Sequence, residues 1–296
     1  MAMRLDLKLT YQCNNRCRFC VQGNSRHVTP GFVPYNKLYA FIRSKKSSYA
    51  EIVFTGGEPT LHPDFIRLVK AAKRLGYTVH VQTNGRIFSY LETSIRAFRA
   101  GVDIFAVSIH GHTPALHDSL TSVPGSLNQS MQGVMNLLSL GKNVVTNTVI
   151  NTKNYRYLAD IAKMVTKAGV RQYQVAYPHI CGGAAENIKD LVPKKTVVMP
   201  YVIKAVDFGI KNGYVPRIEA IPFCLLGKYK DYSTDNEIPE TLIFEKGIQR
   251  DFSRWLANEG KAKGPKCRIC KYFESCYGPW SEYPQIFGWN EFKPCA

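Results

Sequence analysis

Apolar positions along the chain fall into two alternating rhythms. Short strand-like runs are Leu5–Leu9, Glu51–Thr55, Thr78–Thr83, Ile104–Ser108, Val144–Ile150 and Gln172–Tyr177. The first sets Asp6 and Lys8 between leucines, the period of two expected of a strand. Between the runs the period lengthens. Phe65, Leu68, Val69, Ala72 and Leu75 share one helical face, and Gly76 follows as a stop. Met131, Val134, Met135 and Leu138 repeat the pattern before Gly141, and Leu158, Ile161, Val165 and Ala168 repeat it before Gly169. Six βα units in series predict an α/β fold with a parallel sheet. With right-handed crossovers the sheet is either open and doubly wound or curled into a barrel.

Beyond residue 195 the beat changes. One more helix is expected over Val202–Asn212, then an extended stretch, Tyr214–Ala220, in which Pro216 permits an edge strand at best. Residues 228–265 read as polar and irregular, and Lys228–Glu240 is assigned no element. The C-terminal segment is dense in Gly, Pro and aromatics.

Composition adds bounds. A chain of 296 residues, 45% hydrophobic and 21% charged, is expected to be a soluble globular protein of one large or two ordinary domains. No apolar run approaches the roughly 18 residues of a membrane span, and no signal-peptide pattern precedes the first strand. The expectation is a cytoplasmic protein without a membrane partner. Its formal charge of +17 suits an anionic partner, nucleic acid or an acidic peptide. Solubility alone explains it equally well, because the basic residues are scattered.

Nine cysteines cluster near the two ends, which in a chain without an export signal argues for metal ligation over disulfides. Cys13-x3-Cys17-x2-Cys20 follows the first strand. Three thiolates on one loop can hold three corners of a [4Fe-4S] cluster and leave one iron open. The alternative is zinc, but a structural zinc site needs a fourth Cys or His, and none lies nearby. Loops after successive parallel strands gather at one edge, where α/β proteins place their sites. Gly56-Gly57-Glu58-Pro59, Asn84-Gly85, Ser108 with His110-Gly111, and His179-Ile180-Cys181-Gly182-Gly183 all sit at or just beyond strand ends, and Asn147 lies within the fifth strand. His110, His112 and His117 show no metal-binding spacing and read as loop-lining residues.

The cysteine motif after the first strand, with Gly-Gly-Glu-Pro after the second, resembles the radical S-adenosylmethionine (SAM) superfamily over roughly residues 4–180. The resemblance implies a partial (β/α)6 TIM-type barrel. It implies a [4Fe-4S] cluster on Cys13, Cys17 and Cys20 whose open iron is chelated by the amine and carboxylate of SAM. It also implies homolysis of SAM to methionine and a 5′-deoxyadenosyl radical that takes a hydrogen atom from substrate. Phe19 matches the aromatic position near the adenine. Gly56, Gly57, Glu58 and Pro59 match the turn that binds the SAM amine, with Glu58 offering charge to the ammonium. Asn84 at the end of the third strand, Ser108 and Asn147 are further cofactor candidates, the last two resembling ribose and carboxylate contacts.

Cys267-x2-Cys270-x5-Cys276 resembles part of the SPASM motif or its shorter relative, the twitch domain. Trp280 stands where the full motif continues with cysteine. The resemblance implies a second, auxiliary [4Fe-4S] cluster on Cys224, Cys267, Cys270 and Cys276, with zinc as the alternative and Cys295 as a spare. Two such clusters contribute about −1 and −2 to the charge and leave the protein near ~+14. The expected division is a barrel core over 1–195, a completing helix and strand over 196–223 and a small iron–sulfur extension over 224–296. Cys181, beyond the sixth strand, is a candidate hydrogen donor to a substrate radical, or simply a small buried hydrophobe.

The expected function is a radical SAM oxidoreductase or maturase acting on a peptide by dehydrogenation, cross-linking or epimerisation. It would receive electrons from a flavodoxin or ferredoxin. Because the first strand starts at residue 4, a separate leader-binding protein is expected. The alternatives are radical modification of tRNA, a nucleotide or a small alcohol or sugar, and a non-enzymatic iron–sulfur carrier. Gly-Gly-Glu-Pro argues against the carrier, and a cobalamin-dependent methyltransferase would need a further domain ahead of the barrel.

Overall fold

The computed structural model describes residues 3–23 and 31–296. One sheet of nine strands organises them. Strands β1 (Arg4–Thr10), β2 (Glu51–Gly56), β3 (Thr78–Thr83), β4 (Ile104–Ser108), β5 (Asn143–Val149), β6 (Gln172–Ala176) and β7 (Val215–Glu219) lie side by side in chain order, all parallel. Beyond β1 the sheet gains β8 (Thr241–Glu245), parallel to it, and β9 (Ile248–Asp251), antiparallel to β8. The crossovers are helices α1 (Tyr35–Lys45), α2 (Phe65–Arg74), α3 (Leu91–Ala100), α4 (Pro114–Thr121), α5 (Ser126–Ser139), α6 (Leu158–Lys167) and α7 (Lys195–Lys211).

Strands β1, β3, β4, β5 and β7 alternate, and one face of the sheet is apolar. Leu5, Leu7, Leu9, Ile52, Phe54, Val79, Val81, Phe105 and Val107 pack with Leu38, Leu68, Val69, Val134 and Val165 from the helices. At about 1.5–3 kcal/mol per buried aliphatic or aromatic side chain, this layer holds the sheet to its helices. Around β6, β7 and α7 a second core continues the same face through Val175, Ile218, Val202 and Val206. The opposite face carries Arg4, Asp6, Lys8, His80, Gln82, Asn147, Gln174, Arg217 and Glu219, as the period of two requires. A doubly wound sheet buries both faces under helices and shows near-continuous apolar strands. Here the helices pack on one face only, so the sheet is a partial barrel, open along one side, with a polar interior.

Six of the strands follow the sequence pattern closely. The edge position of β7, with Pro216 in it, also agrees, since an edge strand tolerates the missing donor. Two findings depart from expectation. Helix α7 begins seven residues earlier than the periodicity indicates and runs through Pro200. The stretch read as irregular contains β8 and β9, so the sheet crosses the boundary expected at residue 224. Leu242-Ile243-Phe244 is too short a run to stand out among charges; the open edge of β1 supplies its partner. Among the described residues no helix is long and apolar enough to cross a membrane.

Candidate functional site

The cysteine loop leaves β1 at Thr10 and is laced to its surroundings by backbone. Gly57 N–H donates to Thr10 O (2.7 Å) and Glu58 N–H to Gln12 O (2.8 Å), so the β1–β2 pairing continues past the strand ends up to Cys13. Glycine is required for this. A Cβ on Gly56 would stand 2.3 Å from Thr10 O, and one on Gly57 would stand 2.3 Å from Gln12 O and 2.5 Å from Tyr11 O. On the far side, Arg16 and Arg18 N–H donate to Thr121 O (2.8 Å) and Leu120 O (3.0 Å) at the end of α4. The Cys181–Gly183 loop closes the third side. Gly183 N–H donates to Cys20 O (2.8 Å), and a Cβ on Gly182 would reach within 2.6 Å of the same oxygen.

Polar side chains set the sulfur environment. The Asn15 N–H lies 3.4 Å from Cys13 Sγ and Asn84 Nδ2 lies 3.9 Å from it. Asn84 Nδ2 also donates to Asn14 Oδ1 (2.6 Å), and its carbonyl accepts from Ser130 Oγ (2.6 Å). Asn84 therefore braces the cysteine loop. Arg86 donates to Asn14 O, to Asn15 Oδ1 (3.0 Å) and, through Nε, to Gln129 Oε1 (2.6 Å). Burial, and then the Glu58 carboxylate, push the Cys13 thiol up to about 11.

Glu58 lies at the junction of the β2 and β3 ends. Its carboxylate is 1% exposed and accepts from Thr60 Oγ1 (2.7 Å), Thr83 Oγ1 (2.8 Å) and Asn84 N–H (2.8 Å). Burial raises its pKa and these hydrogen bonds oppose the rise. Glu58 thus joins the ends of β2 and β3: Oε1 accepts from Thr60 and Thr83, and Oε2 accepts from the Asn84 N–H. Pro59 opens the short 3-10 turn that follows.

Phe19 is buried edge-on against His110, with ring centroids 4.7 Å apart. His110 and His117 are buried and stacked, and the His117 Nδ1 accepts from His110 N–H (3.0 Å). Burial holds both imidazoles well below their usual range, His117 at about 4. They are neutral packing groups behind the cysteine loop. Ser108 and Asn147 face each other across β4 and β5 on the inner face, and Gln174 is the next residue of the row. Cys181 is half-buried, its Sγ 3.9 Å from Val21 O. Burial works against a charged His179 beside it, but hydrogen bonds to Cys181 and Glu282 outweigh burial and carry the imidazole up to about 9. His179 also stacks on Trp280 at 4.1 Å.

Below the strand ends lies a cavity of about 300 Å³, walled by Arg4, Gln82, Gln174, Arg217 and Glu219 from the inner face and closed by Lys261 and Trp280 from the C-terminal segment. Its polar walls are the residues that sequence reading missed. The signal was present in the alternation of Leu5–Leu9, because charged residues between leucines mark a face that no helix covers. Further along the chain, Cys224, Cys267, Cys270 and Cys276 line one space with Pro222, Phe223, Tyr272 and Phe292. Cys295 N–H donates to Cys270 Sγ (3.3 Å). Burial, then the thiols of Cys276, Cys295, Cys267 and Cys270, push the Cys224 thiol up to about 12. The spare cysteine thus stands beside the other four. None of the nine cysteines forms a disulfide.

The profile of the radical SAM superfamily matches residues 7–165. The chain belongs to the radical SAM superfamily. Its partial barrel is similar to that of SuiB from Streptococcus suis bound to S-adenosylmethionine, with a TM-score of 0.71 at 14% identity over 94% of this chain and 73% of that one. The same protein bound to its precursor peptide SuiA gives 0.69, at 14% identity over 94% and 72%. In sequence, this radical SAM chain is 28% identical over 180 residues to an AdoMet-dependent heme synthase of Oleidesulfovibrio alaskensis, covering 60% of the chain and 46% of the relative. It is 27% identical over 167 residues to a probable GTP 3′,8-cyclase of Thermococcus kodakarensis, covering 56% and 53%. The chain spans about half the length of these curated relatives. Membership makes it an enzyme that uses SAM and a [4Fe-4S] cluster. Among the described residues no three His, Cys, Asp or Glu side chains converge tightly enough to share a single metal ion.

Proposed function

We propose that Cys13, Cys17 and Cys20 ligate the cluster and that the chain abstracts a hydrogen atom from a peptide substrate held in the polar cavity. When bound, a [4Fe-4S] cluster with one open iron supplies the electron that splits SAM into methionine and a 5′-deoxyadenosyl radical. The carrying observation is the convergence of the three-cysteine loop with the ends of β2 and β3 and with the loop that follows β6. Asn15 and Asn84 place N–H groups toward Cys13 Sγ, an arrangement that favours a ligated thiolate. The Gly56-Gly57 turn is the proposed site of the SAM amine, and Ser108 and Asn147 are the proposed polar contacts to the rest of SAM from the inner face. Phe19 backs the adenine side.

Five thiols at the C-terminal space support a second cluster there, on four of Cys224, Cys267, Cys270, Cys276 and Cys295. It would take up the second electron of a substrate oxidation. Cys181, beside the cysteine loop, is the proposed hydrogen donor if the product is an epimer. A flavodoxin or ferredoxin is the proposed electron source, and the basic surface suits the acidic leader of a peptide, presented by a separate protein. The peptide reading is supported by SuiB, whose fold this chain resembles and which was captured with a peptide; the names of the curated relatives direct the same test to a nucleotide or a porphyrin.

The test is anaerobic reconstitution and reduction with SAM and each substrate class in D2O. Formation of 5′-deoxyadenosine stimulated by peptide, with a product heavier by one mass unit (epimerisation) or lighter by two (dehydrogenation or cross-linking), is the expected result. Stimulation by GTP or tRNA alone would overturn the peptide assignment.

A further inference from the structure

Cations frame the C-terminal cysteines. From Lys263 to Trp280 the chain carries Lys263, Lys266, Arg268 and Lys271 against a single acid, Glu274. All four cations are exposed, as is Lys293, and Lys263, Lys266 and Lys293 rim the space that Cys224, Cys267, Cys270 and Cys276 line. Other cations of this chain find acids, as Lys73 does in Asp103 (2.7 Å) and Lys163 in Asp160 (3.2 Å). Among the described residues, none of these five forms an ion pair. Lys263 Nζ donates to Phe273 O and lies over the Phe273 ring at 4.4 Å, and Lys271 lies over Tyr272 at 5.3 Å. Such neutral partners hold a charge in place without cancelling it. Between Cys267 and Cys270, both half-buried, the short turn Pro265–Ile269 presents Ile269. At 78% exposure it is the most exposed large hydrophobic side chain among the described residues.

Solvation accounts for cations scattered over a surface. It does not account for five unpaired ones gathered at the thiols with an apolar side chain among them. Compensation of a bound cluster does not exhaust them either. A [4Fe-4S] cluster on four thiolates carries about −2, Glu274 adds one more negative charge, and the five cations exceed that sum. An apolar spot with a charged rim beside a redox group has the form of a transient electron-transfer interface. Opposite charge steers the encounter there, and the contact area stays small. We propose that this face docks an acidic one-electron carrier protein, whose carboxylates meet the five cations while Ile269 contacts an apolar spot between them. This rests on the second-cluster reading of the same cysteines and gives that cluster an outlet. In each encounter one electron leaves the reduced cluster and reduces the oxidised carrier, and no proton or bond moves.

The experiment is calorimetric titration of the anaerobically reconstituted full chain with an oxidised, acidic flavodoxin at stepped salt concentrations, with iron measured on the same samples. Binding is expected to weaken about tenfold or more in Arg268→Glu with Lys271→Glu, and likewise in Lys266→Glu with Lys293→Glu, and the salt dependence of Kd to become shallower in both. Lys70→Glu with Arg74→Glu makes the same charge change on exposed residues of helix α2 and is expected to alter Kd by less than about twofold. Ile269→Ser is expected to weaken binding and to leave the salt dependence as it was. A wild-type Kd that ignores salt, absence of binding, or equal losses in the patch and α2 variants overturns the assignment. Hexaglutamate that binds as tightly as flavodoxin assigns the face to an acidic peptide, and sedimentation of a dimer that the patch variants abolish assigns it to a second copy of the chain; either overturns the proposal. If the charge variants lose iron or do not fold, Ile269→Ser and the wild-type salt series decide. Flavodoxin binding by a protein with only about four irons per chain leaves the docking face standing and counts against the second cluster. About eight irons without flavodoxin binding does the reverse.

Discussion

Gly57 has room for a hydrogen atom and nothing larger, because the carbonyls of Tyr11 and Gln12 lie where its Cβ would be. Gly57→Ala must push the turn away from the residues that lead into Cys13. The expected result is an at least tenfold loss of SAM binding by equilibrium dialysis, with the helical signal in circular dichroism retained. Unchanged SAM affinity would show that the close approach is dispensable. His117 carries a prediction of another kind. Its folded pKa, about 4, lies below the ordinary value of 6.5, so the unfolded chain binds the extra proton more readily. Its contribution is complete above about pH 6.5 and is lost as pH falls toward 4, at a cost of about 3 kcal/mol. His117→Asn keeps an acceptor for the His110 N–H without a titrating group. Urea midpoints measured from pH 7 to pH 4 are expected to fall less steeply in the variant, and parallel curves would refute the assignment. At this scale, residue type and position were legible, but partnership was not. Glu58 was a visible carboxylate in the right turn. That Thr60, Thr83 and Asn84 occupy its oxygens depends on the meeting of β2 with β3.

Elements whose signal is periodic were readable, and elements created by an edge were not. Helix α5 shows both aspects. Its apolar face was plain from Met131 to Leu138, yet Gly133 within it was silent, and a Cβ there would meet Gly85 O at 2.3 Å. Gly133→Ala is therefore expected to destabilise the protein by about 1–3 kcal/mol through overpacking, although alanine favours an isolated helix by about 1 kcal/mol. A rise in the denaturation midpoint would mean that intrinsic propensity outweighs the contact. Strands β8 and β9 illustrate the opposite limit. Leu242-Ile243-Phe244 carries no pattern long enough to declare a strand, and the free edge of β1 makes it one.

For the whole molecule, the iron content is the most direct measure of the proposed architecture. Replacing Cys13 with Ser is expected to remove about four irons per chain and to abolish 5′-deoxyadenosine formation. Replacing Cys276 with Ser is expected to remove a similar amount while SAM binding persists. Equal iron in Cys276→Ser and wild type would rule out Cys276 as an essential ligand of a second cluster. Cys295→Ser separates two ligand sets: loss of iron assigns Cys295 to the cluster, and full retention assigns Cys224, Cys267, Cys270 and Cys276.

By itself the sequence determined the order of βα units, the three-cysteine loop after the first strand and the glycine turn after the second. These features depend on local spacing, which a linear chain records. Tertiary structure alone decided that helices cover one face of the sheet and that the C-terminal segment closes the other. It also decided that Cys295 joins four other thiols and that Glu219 shares one cavity with Arg4, Arg217 and Lys261. Those facts depend on which distant residues become neighbours, and their energies arise only when burial removes the water that would otherwise have satisfied each charge.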